Sequence, residues 1–259
     1  MLNISPLPAI SDNYIWILAY TGRSDVYVVD PGEAAPVQDY LKKNSNTIRA
    51  ILVTHQHWDH VTGIAALVDE YHCPVFGPAI EQHPTVTNPV AEGDKINLWD
   101  SLPAEVMETP GHMPDHICWK ISEGENLHLL CADTLFSAGC GRIFRGSHKE
   151  LKHSLDRIAA LPTQTRLYSA HEYTLNNLKF ALAVEPESAV LLEEQGRVQA
   201  LRREHKPSLP TTVEHELIIN PFLRCGTQEI AMAVNKHAGR KLDDDLAVFT
   251  ELRRWKDVY

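Results

Sequence analysis

The segment Thr54-His55-Gln56-His57-Trp58-Asp59-His60 places three imidazoles and a carboxylate within six consecutive residues. Imidazole suits zinc, iron or nickel, and a carboxylate extends the range to harder ions. In an extended segment His55 and His57 point to one side. Asp59 and His60 open the following turn and can face a second ion. The preceding run, Ala50-Ile51-Leu52-Val53, is short and wholly apolar, the pattern of a buried strand feeding a loop. A single histidine would ordinarily be read as a surface residue. The His-x-His-x-Asp-His spacing predicts metal binding instead.

The same form recurs along the chain. Strand-like apolar stretches end at Thr109-Pro110-Gly111-His112, at Asp133 and at His171. In open α/β sheets ligands gather outside the strand ends, where loop residues converge. With only 14 histidines in the chain, four strand ends carrying His or Asp point to one assembled site. Gly111 fits a tight turn that brings backbone close to it. His116 is read as a hydrogen-bonding partner, not a ligand. His72, His83, His128, His148, His153, His205, His215 and His237 lack ligand spacing and are read as surface or structural. Trp58 is expected to pack against the wall of the site.

The elements that must position these residues follow from periodicity. Tyr14–Tyr20 and Asp25–Asp30 read as a strand pair around Thr21-Gly22-Arg23-Ser24. Ala34–Lys43 has helical spacing, and a helix from Asp59 or His60 to His72 should carry Val61, Ile64, Ala65 and Val68. Pro74–Phe76, Lys95–Trp99, Glu105–Thr109, Ile117–Ile121, Leu127–Cys131 and Arg166–Ala170 read as strands, and Lys149–Ala160 as a helix. Beyond Tyr173 helical patterns take over, at Leu175–Val184, Ser188–His205, Thr227–His237 and Asp243–Trp255. This predicts an α/β domain over residues 1–172 and a helical one over residues 173–259.

Composition narrows the function classes. The chain has 259 residues, 44% hydrophobic and 22% charged, an ordinary globular balance. The net charge of -10 argues against a nucleic-acid partner held by general electrostatics. No apolar run is long enough for a membrane span, and the first residues lack a signal-peptide pattern. A cytoplasmic location and a monomer are expected. The five cysteines, Cys73, Cys118, Cys131, Cys140 and Cys225, are widely spaced, as buried or free thiols would be in a reducing compartment.

The ligand pattern resembles the metallo-β-lactamase superfamily, whose Thr-His-x-His-x-Asp-His form is matched from Thr54 to His60. His112, Asp133 and His171 fall where its later ligands would. Within that superfamily Asp12-Asn13-Tyr14-Ile15-Trp16, the run from Thr134 to Arg142, the run from Ala170 to Ala181 and Leu252–Asp257 are similar to the hydroxyacylglutathione hydrolases, also called glyoxalase II. The likeness spans essentially the whole chain.

That resemblance implies a four-layer αββα sandwich with a smaller C-terminal helical domain that binds substrate. It implies two divalent metal ions, zinc before iron or manganese. His55, His57 and His112 would hold one, Asp59, His60 and His171 the other, and Asp133 would bridge them. The implied reaction is hydrolysis of a glutathione thioester, S-D-lactoylglutathione, to glutathione and D-lactate, the second step of methylglyoxal detoxification. A hydroxide between the ions, held by Asp133 with Asp59, would attack the thioester carbon, Asp59 acting as ligand instead of general base.

Residues matching the family's substrate contacts are Arg142, Phe144, Tyr173, Arg253 and Lys256. By physics alone, Arg253-Arg254-Trp255-Lys256 fits a solvated helix end whose cations face the macrodipole; the resemblance assigns Arg253 and Lys256 to glutathione. One departure is visible. Better-known members carry Lys-Phe-Tyr where this chain has Arg142-Ile143-Phe144, so Phe144 lacks a hydroxyl worth roughly 0.5–1.5 kcal/mol as a hydrogen bond. Asn176 and Asn177 are expected to cap the helix after His171. Rival readings are a mononuclear-iron persulfide dioxygenase, a lactonase, phosphodiesterase or nuclease of the same superfamily, and a purely structural metal site.

Overall fold

The computed structural model describes residues 1–79 and 85–259; His83 lies outside them. The chain divides into two compact units, residues 1–108 with 115–132, and residues 109–114 with 133–259.

In the first unit six strands form a mixed sheet in chain order: β1 (Leu2–Ala9), β2 (Asn13–Tyr20), β3 (Asp25–Val29), β4 (Thr47–Leu52), β5 (Val75–Pro78) and β6 (Asn88–Val90). The first three pair antiparallel through short turns. From β3 to β6 the pairing is parallel, which requires longer crossovers. The first crossover is helix α1 (Ala34–Asn44), which buries Val37 and Leu41, four residues apart on one face. The second holds α2 (Trp58–Val61) and α3 (Ile64–Tyr71). Ile15, Ile17, Val28, Ile51, Leu41, Leu67 and Val75 meet in the core between sheet and helices.

One helix was expected where α2 and α3 stand. Its interruption has a local cause. The Gly63 amide donates to the Pro31 carbonyl at 2.9 Å. A Cβ on Gly63 would lie 2.6 Å from that oxygen, so the backbone is drawn onto the 31–34 turn. Strand β1 was also not anticipated. It carries Pro6 and Pro8, tolerable because it is the edge of the sheet.

Four antiparallel strands complete this unit, in the order β10-β9-β8-β7: β7 (Lys95–Leu98), β8 (Leu102–Glu108), β9 (Ile117–Glu123) and β10 (Asn126–Ala132). The β9–β10 hairpin turns at Gly124, as its sequence suggested. Indole donors tie these strands to the first sheet: Trp119 Nε1 to the Val53 carbonyl at 3.1 Å and Trp99 Nε1 to the Asp25 carbonyl at 3.2 Å.

The second unit holds two short antiparallel pairs, β11 (Leu135–Phe136) with β12 (Gly139–Cys140), and β13 (Arg166–Ser169) with β14 (Thr211–Thr212). Its helices are α4 (His148–Ala159), α5 (Thr174–Val184), α6 (Ala189–Arg203), α7 (Val213–Ile219), α8 (Gln228–Ala238) and α9 (Asp245–Val258). Helix α4 starts with a reciprocal cap between Ser147 and Glu150. Leu178, Ala181, Leu191, Val198 and Ile219 form one apolar cluster of these helices. Among the described residues no helix is long and apolar enough to cross a membrane.

Gly111 turns with φ +137°, and a Cβ there would lie 2.4 Å from the Leu151 Cα. Both backbone conformation and space exclude a side chain. Gly111→Ala is therefore expected to lower stability by about 3 kcal/mol, read as a lower denaturant midpoint at unchanged slope. A midpoint equal to that of the parent chain would refute the steric account.

Candidate metal centre

In the first unit the site starts from Asp30, which follows β3 in the left-handed region at φ 51°. Its Oδ1 accepts from the Thr54 amide at 2.8 Å, and its Oδ2 accepts from the Thr54 hydroxyl at 2.7 Å and from His60 Nδ1 at 3.0 Å. The Thr54 hydroxyl spends its hydrogen on Asp30, so at 3.1 Å it accepts from His55 Nδ1. Both rings thus carry their proton on Nδ1 and keep Nε2 as a lone-pair donor. This is the outer arrangement that metal-binding histidines use to fix tautomer and ring orientation.

His55 Nε2 lies 3.0 Å from His57 Nδ1, and His60 Nε2 lies 3.7 Å from Asp59 Oδ2. Asn13 Nδ2 donates to the same Asp59 oxygen at 3.0 Å. The Asp59 backbone sits so close to Gly32 that a Cβ there would lie 1.8 Å from the Asp59 carbonyl oxygen. His116 is buried with its ring stacked on His55 at 4.8 Å. Trp58 does not pack against the site; it is 65% exposed. Two residues along a helix is about 200° of rotation, so burying His60 turns Trp58 outward.

Within the second unit His112, Asp133 and His171 are all buried. His112 Nδ1 donates to the Arg142 carbonyl at 2.6 Å, leaving its Nε2 3.6 Å from Asp133 Oδ2. His171 Nε2 lies 3.4 Å from the other oxygen, Oδ1. One carboxylate thus presents each oxygen to a different imidazole, as a bridging ligand would. Asp133 follows Ala132, another residue at positive φ (39°). A Cβ on Gly141 would lie 2.0 Å from the Asp133 carbonyl.

The second unit also shows what the expected substrate residues touch. Arg142 donates Nε to Asp257 Oδ1 and Nη2 to the Asp257 carbonyl, both at 3.3 Å. Phe144 is 59% exposed, its ring edge-on to His112 at 5.3 Å. Tyr173 stacks on His171 at 4.7 Å. Arg253 is not a solvated cation; it is 5% exposed and donates to the Cys140 carbonyl at 3.0 Å and to Asp257 Oδ1 at 3.1 Å. Lys256 lies over the Phe180 ring at 5.0 Å and donates to the Asn176 carbonyl at 3.3 Å. Burial, and then the neighbouring Arg253 charge, lower its pKa to about 8.

Asn176 and Asn177 do not cap α5. The helix begins at Thr174 with Tyr173 before it, which places both asparagines inside the first turn. Buried Asn177 donates instead to the Ser137 carbonyl at 3.0 Å. Sequence reasoning also missed Asp30, whose only local signal is an acid closing the apolar run before Pro31-Gly32. It missed Glu216 as well, a fully buried carboxylate on α7 whose pKa burial raises. Glu216 accepts from the Ala138 amide at 2.8 Å and from Asn220 Nδ2 at 3.0 Å.

Among the described residues, two groups of His and Asp side chains could hold a metal ion. The donors are imidazole and carboxylate without thiolate, a set that suits zinc, iron or manganese. The oriented Nε2 atoms of His55, His60 and His112 fit that use.

Residues 11–171 match the family model described as the metallo-β-lactamase superfamily, and residues 172–259 match that of the hydroxyacylglutathione hydrolase C-terminus. Hydroxyacylglutathione hydrolase of Saccharophagus degradans is 44% identical, over 100% of this chain and 97% of its own. That of Vibrio cholerae is 45% identical over 100% of both. The chain belongs to the hydroxyacylglutathione hydrolase family. It is a hydrolase with the metallo-β-lactamase fold. The crystal structure of ETHE1 from Myxococcus xanthus aligns with a TM-score of 0.65, covering 100% of this chain and 99% of that one. At 20% identity this shows the fold alone.

For a hydroxyacylglutathione hydrolase the Asp30 contacts yield a direct expectation. Asp30→Ala removes the acceptor of His60 Nδ1 and of both Thr54 donors. Affinity for zinc, measured by competition with a chromogenic chelator, should fall about 10- to 100-fold. Unchanged affinity would show that Asp30 does not orient the donors.

Proposed function

We propose that this protein hydrolyses S-(2-hydroxyacyl)glutathione thioesters, S-D-lactoylglutathione first among them, releasing glutathione and a 2-hydroxy acid such as D-lactate. This is the second step of methylglyoxal detoxification. The observation that carries the proposal is identity of 44–45% with relatives of that name along the whole chain.

His55, His57, His112 and Asp133 would hold one divalent ion, and Asp59, His60 and His171 the other, with Asp133 shared between them. Support comes from the match of residues 11–171 to the metallo-β-lactamase superfamily and from Asp133 turning one oxygen to His112 and the other to His171. Zinc is the ion of first choice. Bound there, such ions would lower the pKa of a coordinated water to about 7 and polarise a carbonyl oxygen.

The protein side of the reaction follows from the side chains. Glutathione carries carboxylates, and the chain is acidic overall, so its binding needs local cations. Arg142 keeps an exposed guanidinium edge, and Lys256 is half-buried near Asn176. The stacked Tyr173 ring and exposed Phe144 supply apolar walls. Arg253, spent on Cys140 and Asp257, is assigned to holding this end of α9 in place. The leaving thiolate has a parent pKa of about 8.5, so it departs as an anion and needs no acidic side chain. In this reading residues 1–172 form the catalytic domain and residues 173–259 contribute substrate contacts. All five cysteines are buried thiols, which suits the reducing cytoplasm.

Metal-loaded protein should release free thiol from S-D-lactoylglutathione. Inactivity there, combined with oxygen uptake on glutathione persulfide, would overturn the proposal. Lys256 adds a pH signature. Its ammonium is charged below about pH 8 and neutral above it, so KM should be flat below that value. It should then rise roughly tenfold above it as one charge-assisted contact is lost, with kcat following a separate profile. Lys256→Arg, which stays charged, should flatten the rise. A KM independent of pH in the parent chain would exclude Lys256 from glutathione binding.

A further inference from the structure

We propose that Asp257, in the last turn of α9, is a positioning residue that acts through Arg142 on His112. The proposal rests on reading His112 as a metal ligand.

Asp257 grips Arg142 twice. Its Oδ1 accepts from Arg142 Nε, and its backbone carbonyl accepts from Arg142 Nη2, each at 3.3 Å. Asp257 is itself fixed, because the same Oδ1 accepts from Arg253 Nη2 at 3.1 Å. Arg253 is buried, with Nη1 on the Cys140 carbonyl at 3.0 Å and its guanidinium over the Phe222 ring at 5.1 Å. The clamp is anchored in the interior and closes on the surface.

What it closes on matters to the site. The Arg142 backbone carbonyl accepts from His112 Nδ1 at 2.6 Å. A carbonyl can only accept, so this bond places the proton on Nδ1 and turns Nε2 toward Asp133 Oδ2. The Phe144 amide donates to the His112 carbonyl at 3.1 Å. Residues 140–144 are thus held at Cys140 by Arg253, at Arg142 by Asp257 and at Phe144 by His112. An exposed ion pair contributes little to stability by itself. Here the arginine side chain is gripped while its backbone orients a ligand, so the pair acts on ring geometry.

The test is the rate at which the full-length, zinc-loaded protein loses zinc to excess chelator. It compares the parent chain, Asp257→Asn, Arg142→Ala and the double variant, with circular dichroism to confirm folding. Each single variant should lose zinc about tenfold faster, the low end for outer-sphere partners because the effect is indirect. The double variant should be no faster than either single, since both break one linkage. Parent-like loss in both single variants, or effects that multiply in the double, would overturn the proposal. Should Asp257→Asn fail to fold, Arg142→Ala decides the matter alone, because its side chain is mostly exposed. If the parent chain binds no zinc, the reading of His112 as a ligand falls, and this proposal with it. If the parent holds zinc and the variants lose it at the parent rate, only the clamp is refuted.

Discussion

Three hydrogen bonds converge on the carboxylate of Asp30, and the histidine-rich loop of the first unit depends on them. Thr54 is bound through its amide and its hydroxyl, and His60 through Nδ1. The hydroxyl bond also orders the next residue, because a Thr54 oxygen that has given its hydrogen to Asp30 must accept from His55. A single buried acid therefore sets the tautomer of two imidazoles. Burying an acid is costly unless it is hydrogen-bonded, and Asp30 is satisfied by donors that the site needs in place. Its left-handed backbone conformation is strain of the kind tolerated where surrounding contacts over-determine a residue.

The second unit applies the same logic with other groups. The segment after Asp133 is held by side chains on and next to helices α5, α7 and α9. Glu216 receives the Ala138 amide, Asn220 donates to the Phe136 and Gly139 carbonyls, and Asn177 donates to the Ser137 carbonyl. Arg253 holds the Cys140 carbonyl. Each bond satisfies backbone in a region too irregular to satisfy itself, and a buried backbone group left unpaired is expensive. Helices in the C-terminal part of the chain thus fix the loop that begins at Asp133.

Much of the fold was legible because it rests on local periodicity. The strands from Asn13 to Leu52, the Gly124 hairpin and helices α4, α5, α6, α8 and α9 follow from alternation, helical stripes and turn residues. The misses share a physical pattern. Strand β1 is hidden by its prolines, which only its edge position permits. The split between α2 and α3 comes from a contact of Gly63 with Pro31, a residue 32 positions earlier. Helix α7 is a short element whose buried Glu216 runs against the apolar pattern of a core helix.

By itself the sequence determined which residues could bind metal and which family the chain resembles. Ligand identity and strand-end spacing are local properties, and Thr54 to His60 carries most of them in one stretch. Tertiary structure alone decided which groups aim those ligands and which cations are already committed. Asp30 and Thr54 are 24 residues apart, and Arg142 and Asp257 are 115 apart. No pattern along the chain records such pairings. Arg253 shows the consequence: in sequence it is one of three cations at a helix end, and in the fold it is a buried anchor whose hydrogen bonds are directed into the protein.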